Sequence, residues 1–215
     1  MLARIVIVVA LCLAPAIAVA AAAAAPFSVA QRADLQRVSA YLNTIQTAEG
    51  RFVQIGPDGR SESGTLYLRK PGRLRFEYDK PNPTLVVADG SAIAVSNTRL
   101  RTTDRYPLLD SPLRLLLSEK IDLATDPRIV GAKREPGLLT VTARQTAGAA
   151  QGEITLTFVD SGASLELRQW EVLDAQALRT QVSLSGLKTG GTLAPSLFII
   201  QDLDPFQRLG TGRPQ

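Results

Sequence analysis

After Ser28, the apolar residues Leu35, Val38, Leu42 and Ile45 recur at intervals of three and four, a spacing that predicts an amphipathic helix running toward Gly50. Ser28 followed by Gln31 has the spacing of a capping box, which fixes where that helix starts. From Arg51 the period changes to two. Residues 51–55, 64–69, 73–78, 84–88 and 91–96 read as successive antiparallel strands, because Pro57-Asp58-Gly59, Pro71-Gly72, Pro81-Asn82-Pro83 and Asp89-Gly90 punctuate them. In residues 73–78, Leu74, Phe76 and Tyr78 alternate with Arg73, Arg75 and Glu77, so one face is apolar and the other charged.

A second, short helix is predicted where Ser111 can cap, Pro112 can take the first helical position, and Leu113, Leu115, Leu116 and Leu117 follow. Strand rhythm then resumes over residues 128–132, 138–143, 153–159, 165–172 and 177–184, and residues 145–152 read as a hairpin loop. The tally is about ten strands against two helices, with no linker or repeat to divide them. A large antiparallel sheet with one apolar face must bury that face. Periodicity alone accommodates either a sheet curled over its helices, with an interior left unfilled, or a closed β-sandwich.

The N-terminus changes the picture of location. Arg4 is followed by an uncharged run to Ala25 that ends in small residues, with Ala18-Val19-Ala20 as an A-x-A site. This is the pattern of a secretory signal over residues 1–24, cleaved between 20 and 25, leaving one domain over residues 25–215. The run is long enough to approach a bilayer span, but Pro15 and the alanine-rich end favour cleavage. Cys12 lies inside that segment behind Leu11, which is too bulky for a lipoprotein cleavage box. The exported chain then carries no cysteine and relies on its hydrophobic core.

Histidine is absent, and with cysteine gone there is no Cys/His zinc set and no Ser-His-Asp or Cys-His catalytic set. Glu77 and Asp79, the nearest approach to a carboxylate pair, read as a solvated strand end beside Lys80. The expectation is a protein that is not an enzyme and holds neither metal nor cofactor. Net charge is +4 and falls to +3 without Arg4. The arginines of residues 69–75 are joined by no Gly-rich phosphate loop or basic-aromatic stacking pattern, so nucleic acid is not an expected partner.

The stretch GTLYLRKPGRLRFEYDKPNPTLVVADG, residues 64–90, resembles the periplasmic outer-membrane lipoprotein carriers, the LolA family. The shared features are a strand ending in a basic residue and proline, an Arg/aromatic strand, a further proline, two apolar β-residues and Asp-Gly. Phe52-Val53-Gln54 before it and Ser111-Pro112 after it fall in the family order. The likeness is close over residues 28–120 and is strand rhythm only beyond Glu119.

The resemblance implies a mainly β fold with a few helices, a single strongly curved antiparallel sheet (an incomplete β-barrel) closed by a short-helix lid. It implies a ligand cavity built from Phe52, Leu66, Leu68, Leu74, Phe76, Leu85 and Val87, and a lid carrying Leu35, Leu42, Leu113, Leu116 and Leu117. It implies a periplasmic monomer whose partners are acylated lipoproteins, an inner-membrane lipoprotein-releasing transporter and an outer-membrane acceptor. A periplasmic lipid-binding or sensor module of the same shape is the alternative.

Two departures stand out. Where the family places an arginine that faces the lid and bonds helix carbonyls, this chain has Lys70, a point donor without the guanidinium fork. A lid latch at Lys70 would find carbonyls near residues 113–119. At the C-terminus, Phe198-Ile199-Ile200 reads as a last strand, and Asp202-Leu203-Asp204-Pro205-Phe206 with a basic tail replaces the family ending.

Overall fold

The computed structural model describes residues 27–145 and 151–201. The expected signal segment with Cys12, residues 146–150 of the expected loop and the tail from Asp202 lie outside the described residues. Eleven strands form one sheet, in chain order β1 (Thr47–Ile55), β2 (Ser61–Arg69), β3 (Arg73–Tyr78), β4 (Thr84–Asp89), β5 (Ala92–Asn97), β6 (Thr102–Pro107), β7 (Ile129–Glu135), β8 (Leu138–Gln145), β9 (Gly152–Asp160), β10 (Leu165–Asp174) and β11 (Arg179–Thr189). Their spatial order is β6-β5-β4-β3-β2-β1-β11-β10-β9-β8-β7, so the first strand pairs with the last and the sheet opens between β6 and β7. Every neighbouring pair is antiparallel. This is the incomplete barrel, and the closed sandwich is excluded.

The helix α1 (Val29–Thr44) begins at the Ser28–Gln31 capping box, with both reciprocal bonds made. It ends well short of Gly50. Gly50 sits within β1, at an irregularity between Glu49 and Arg51, where an added Cβ would stand 3.2 Å from the Cα of Leu187. Leu35, Val38, Leu42 and Ile45 are all buried, and burying four such side chains contributes about 1.5–3 kcal/mol each. They join Leu139, Val141, Ile154, Leu156 and Phe158 in one core on the concave face.

Polar bridges fasten α1 along its length. Gln31 donates to the carbonyl of Ala132 (3.0 Å), and Asp34 accepts from Arg134. Arg37 binds both oxygens of Asp160 (3.0 Å each). The Tyr41 hydroxyl accepts from the amide of Leu167 (2.9 Å). Ser39 and Asn43 hold the 121–123 loop, accepting from the amides of Leu123 and Ile121 at 2.9 Å. Such bonds are worth about 1 kcal/mol each and more where charged.

The Asp160 side chain is only 5 % exposed, and its bonds from Arg37 and the amide of Gly162 hold its pKa down to about 2. A depressed folded pKa gives stability that is complete above the unfolded value near 3.9 and is lost as pH falls toward 2. The melting temperature of the wild type is therefore expected to fall more steeply between pH 4 and pH 2 than that of Asp160→Asn. Equal slopes would show that this carboxylate does not link folding to acid.

Three elements differ from the sequence reading. β6 was not foreseen, because Thr102, Asp104 and Arg105 leave no apolar alternation on this mostly exposed edge strand. The second helix is a single turn, α2 (Arg114–Leu117), preceded by a 3-10 turn over Leu108–Asp110. Ser111 accepts through its hydroxyl from the amide of Leu113 rather than capping α2 itself. Phe198 closes a 3-10 turn, Pro195–Phe198, and is not in a strand.

Candidate functional site

Inside the curl, at the end where the β2–β3 turn meets the helices, lies an apolar cavity. β1 and the residues before it contribute Ile45 and Ala48; β2 and β3 contribute Leu66, Leu68 and Leu74; and β10 and β11 contribute Leu167, Trp170, Leu184 and Leu187. Leu42 of α1 and Leu113, Leu116 and Leu117 cover it. The cavity volume is only ≈ 30 Å³.

Of the expected cavity residues, Leu66, Leu68 and Leu74 line this space. Phe52 and Phe76 lie beyond it, away from the cover. Phe76 packs edge-on against Trp170 at 6.0 Å and against Phe52 at 4.9 Å, and Phe52 meets Tyr78 at 5.1 Å. This T-shaped chain plugs the barrel where a lining had been expected.

Leu85 and Val87 are corrected outright. Leu74 pairs with Ala88 and Phe76 with Val86, so the concave face of β4 carries Val86 and Ala88, while Leu85 and Val87 stand opposite Glu77 and Arg75 on the convex face. The run Leu85-Val86-Val87-Ala88 is apolar on both sides because both are covered. The 3-10 turn of Pro195–Phe198 packs on β3 and β4 from outside, where Val87 and Phe198 are each 3 % exposed. Arg75 donates to the carbonyl of Leu197 (3.3 Å), and the Arg69 guanidinium lies 5.7 Å from the Phe198 ring centroid.

Among the expected lid residues, Leu42, Leu113, Leu116 and Leu117 face the cavity, whereas Leu35 is wholly buried in the core away from it. The two covering helices differ in attachment. α1 carries the bridges described above. The 108–117 segment is tied to the barrel rim by two backbone bonds, from the amide of Leu108 to the carbonyl of Ser91 (2.9 Å) and from the amide of Gly72 to the carbonyl of Leu117 (2.8 Å).

Among the described residues Lys70 is the single ionisable one lining the cavity, and it is 7 % exposed. Its ammonium donates to the carbonyl of Leu42 (2.7 Å), in the last turn of α1, and burial pulls its pKa down to about 8. The expected acceptors near residues 113–119 are thereby replaced. A cation is favoured at a helix C-terminus, and the sixteen-residue α1 has a dipole that the four-residue α2 lacks. The carbonyl of Leu117 is instead taken by Gly72, so one tight turn touches both covering helices.

Sequence reasoning missed Trp170, Leu167, Leu184 and Leu187. A register shift between Leu167 and Gln169 places Leu167 and Trp170, three apart, on one face, which strict alternation forbids. The one available signal was that Trp170 is the chain's sole tryptophan.

The family model described as outer membrane lipoprotein carrier protein LolA matches residues 43–201, well past the point where the likeness legible in the sequence fades. The chain is similar to outer-membrane lipoprotein carrier proteins of Xanthomonas campestris (31% identical over 175 residues, 76% of this chain and 81% of the relative) and Xylella fastidiosa (30% over 186 residues, 80% and 84%). A protein of the same description from Dechloromonas aromatica is 29% identical over 178 residues, 79% of this chain and 84% of its own.

Proposed function

From the premise that the chain belongs to the LolA family of outer membrane lipoprotein carrier proteins, we propose that it carries acylated lipoproteins through the periplasm with their acyl chains buried under the 108–117 cover. One observation supports this reading above the others: a cavity walled by leucines lies beneath a leucine-rich flap held by two rim bonds. The residual space of ≈ 30 Å³ takes no acyl chain, so loading requires the flap to lift. Burying one acyl chain of about 16 carbons gains on the order of 10 kcal/mol at about 0.8 kcal/mol per methylene, before the cost of opening. That is enough for carriage without any catalytic group.

In this reading residues 1–24 direct export, a lipoprotein-releasing transporter at the inner membrane loads the monomer, and an acceptor at the outer membrane unloads it. The Gly72–Leu117 and Leu108–Ser91 bonds latch the closed flap, and release of cargo returns the flap to them.

Trp170 is both the sole tryptophan and a cavity wall, so its emission reports occupancy. A triacylated lipopeptide is expected to shift that emission saturably, and the same peptide without acyl groups to leave it unchanged. No response to the acylated peptide, together with no co-elution of the two, would overturn the assignment.

A further inference from the structure

We propose that the same cavity binds free long-chain carboxylates, with the Lys70 ammonium as counter-ion to the head group. The inference rests on reading the cavity as an acyl site and adds a preference for the head.

An ammonium has three N–H donors, and the bond made by that of Lys70 goes to a single neutral carbonyl, Leu42 O. The remaining cavity wall is leucine, isoleucine, alanine and tryptophan, so among the described residues no carboxylate faces this cation across the space. A desolvated positive charge with neutral partners is an unfavourable arrangement in the empty protein. Burial is the sole cause of its lowered proton affinity, with no opposing charge offsetting it.

Lifting the flap leaves Lys70 in the β2–β3 turn, at the mouth, while acyl carbons fill the leucine-lined space below. A fatty-acid carboxylate at that height supplies the missing negative charge and accepts charge-assisted bonds. An ester in the same position accepts a hydrogen bond and brings no charge. The site therefore favours an acid over its ester, and the aliphatic stem of Lys70 can stay against the wall while its head changes acceptor.

The test compares cis-parinaric acid with its methyl ester at neutral pH, using the mature protein as wild type, Lys70→Arg and Lys70→Met. The wild type is expected to bind the acid at least about tenfold more tightly than the ester, since charge-assisted bonds are roughly twice as strong as neutral ones. Lys70→Arg should keep a preference of the same sign. In Lys70→Met the ratio of the two affinities should fall to about one, whatever their absolute values.

A wild-type ratio near one, or a preference that survives in Lys70→Met, overturns the head-group assignment and leaves the acyl cavity standing. Failure of both probes with a protein that takes up triacylated lipopeptide also rejects free acids as ligands. Failure of all three rejects the acyl cavity itself.

Discussion

Gly64→Ala is expected to cost about 3 kcal/mol or more of folding stability, at the upper end of what overpacking a core does. Gly64 pairs with Phe52 on one side and with Tyr78 on the other, in the middle of the aromatic plug. A Cβ there would stand 2.2 Å from the carbonyl oxygen of Glu77 and 2.6 Å from the Phe52 ring. The ring could swing only into Phe76 or Tyr78, and the carbonyl belongs to the ladder between β2 and β3. Gly59→Ala is the control. Gly59 has a positive φ of 75° but nothing within 4 Å, so it should lose only about 1 kcal/mol of backbone strain. Urea midpoints measure both; a Gly64→Ala protein within about 0.5 kcal/mol of wild type would show that the plug yields.

The second large effect concerns motion. On binding a triacylated lipopeptide, amides of residues 108–118 are expected to lose at least about 100-fold of their exchange protection, while those of α1 change little. In the closed form the amides of Leu116, Leu117 and Ser118 bond within a single turn, and two rim bonds hold that turn down. α1 instead loses Arg37–Asp160, Arg134–Asp34, Tyr41–Leu167 and its buried leucine face if it moves. Hydrogen exchange read by mass spectrometry separates the two: α1 opening while 108–118 stays protected would reverse the roles. The bridges that mark α1 as a framework helix could not be read from its sequence, since Asp34 and Arg37 find Arg134 and Asp160 about a hundred residues away.

The strands with alternating apolar residues, such as Leu74 and Phe76 in β3, were legible because the period of two states their burial directly. Legibility failed for three physical reasons. β6 has no apolar face, since an edge strand at an open seam is not required to bury one. Leu85 and Val87 could not be placed because a strand covered on both sides shows no parity, and the outer cover comes from residues 195–198, over a hundred positions on. The family resemblance marks Lys70 as a candidate latch, but its acceptor depends on which helix end arrives there. Leu42 O reaches it because α1 stops at Thr44, not at Gly50.

Among the described residues no ladder joins β6 to β7, and this gap is expected to give the barrel an adjustable girth. A fully closed barrel could swell only by breaking a ladder, and five or six strand hydrogen bonds at about 1 kcal/mol each would resist every enlargement. Here the two edges are joined through the chain of residues 108–128 and not through a ladder, so a bulkier load can part them by a change of sheet coil while all ten ladders stay intact. The limit on what fits is the reach of that connecting segment.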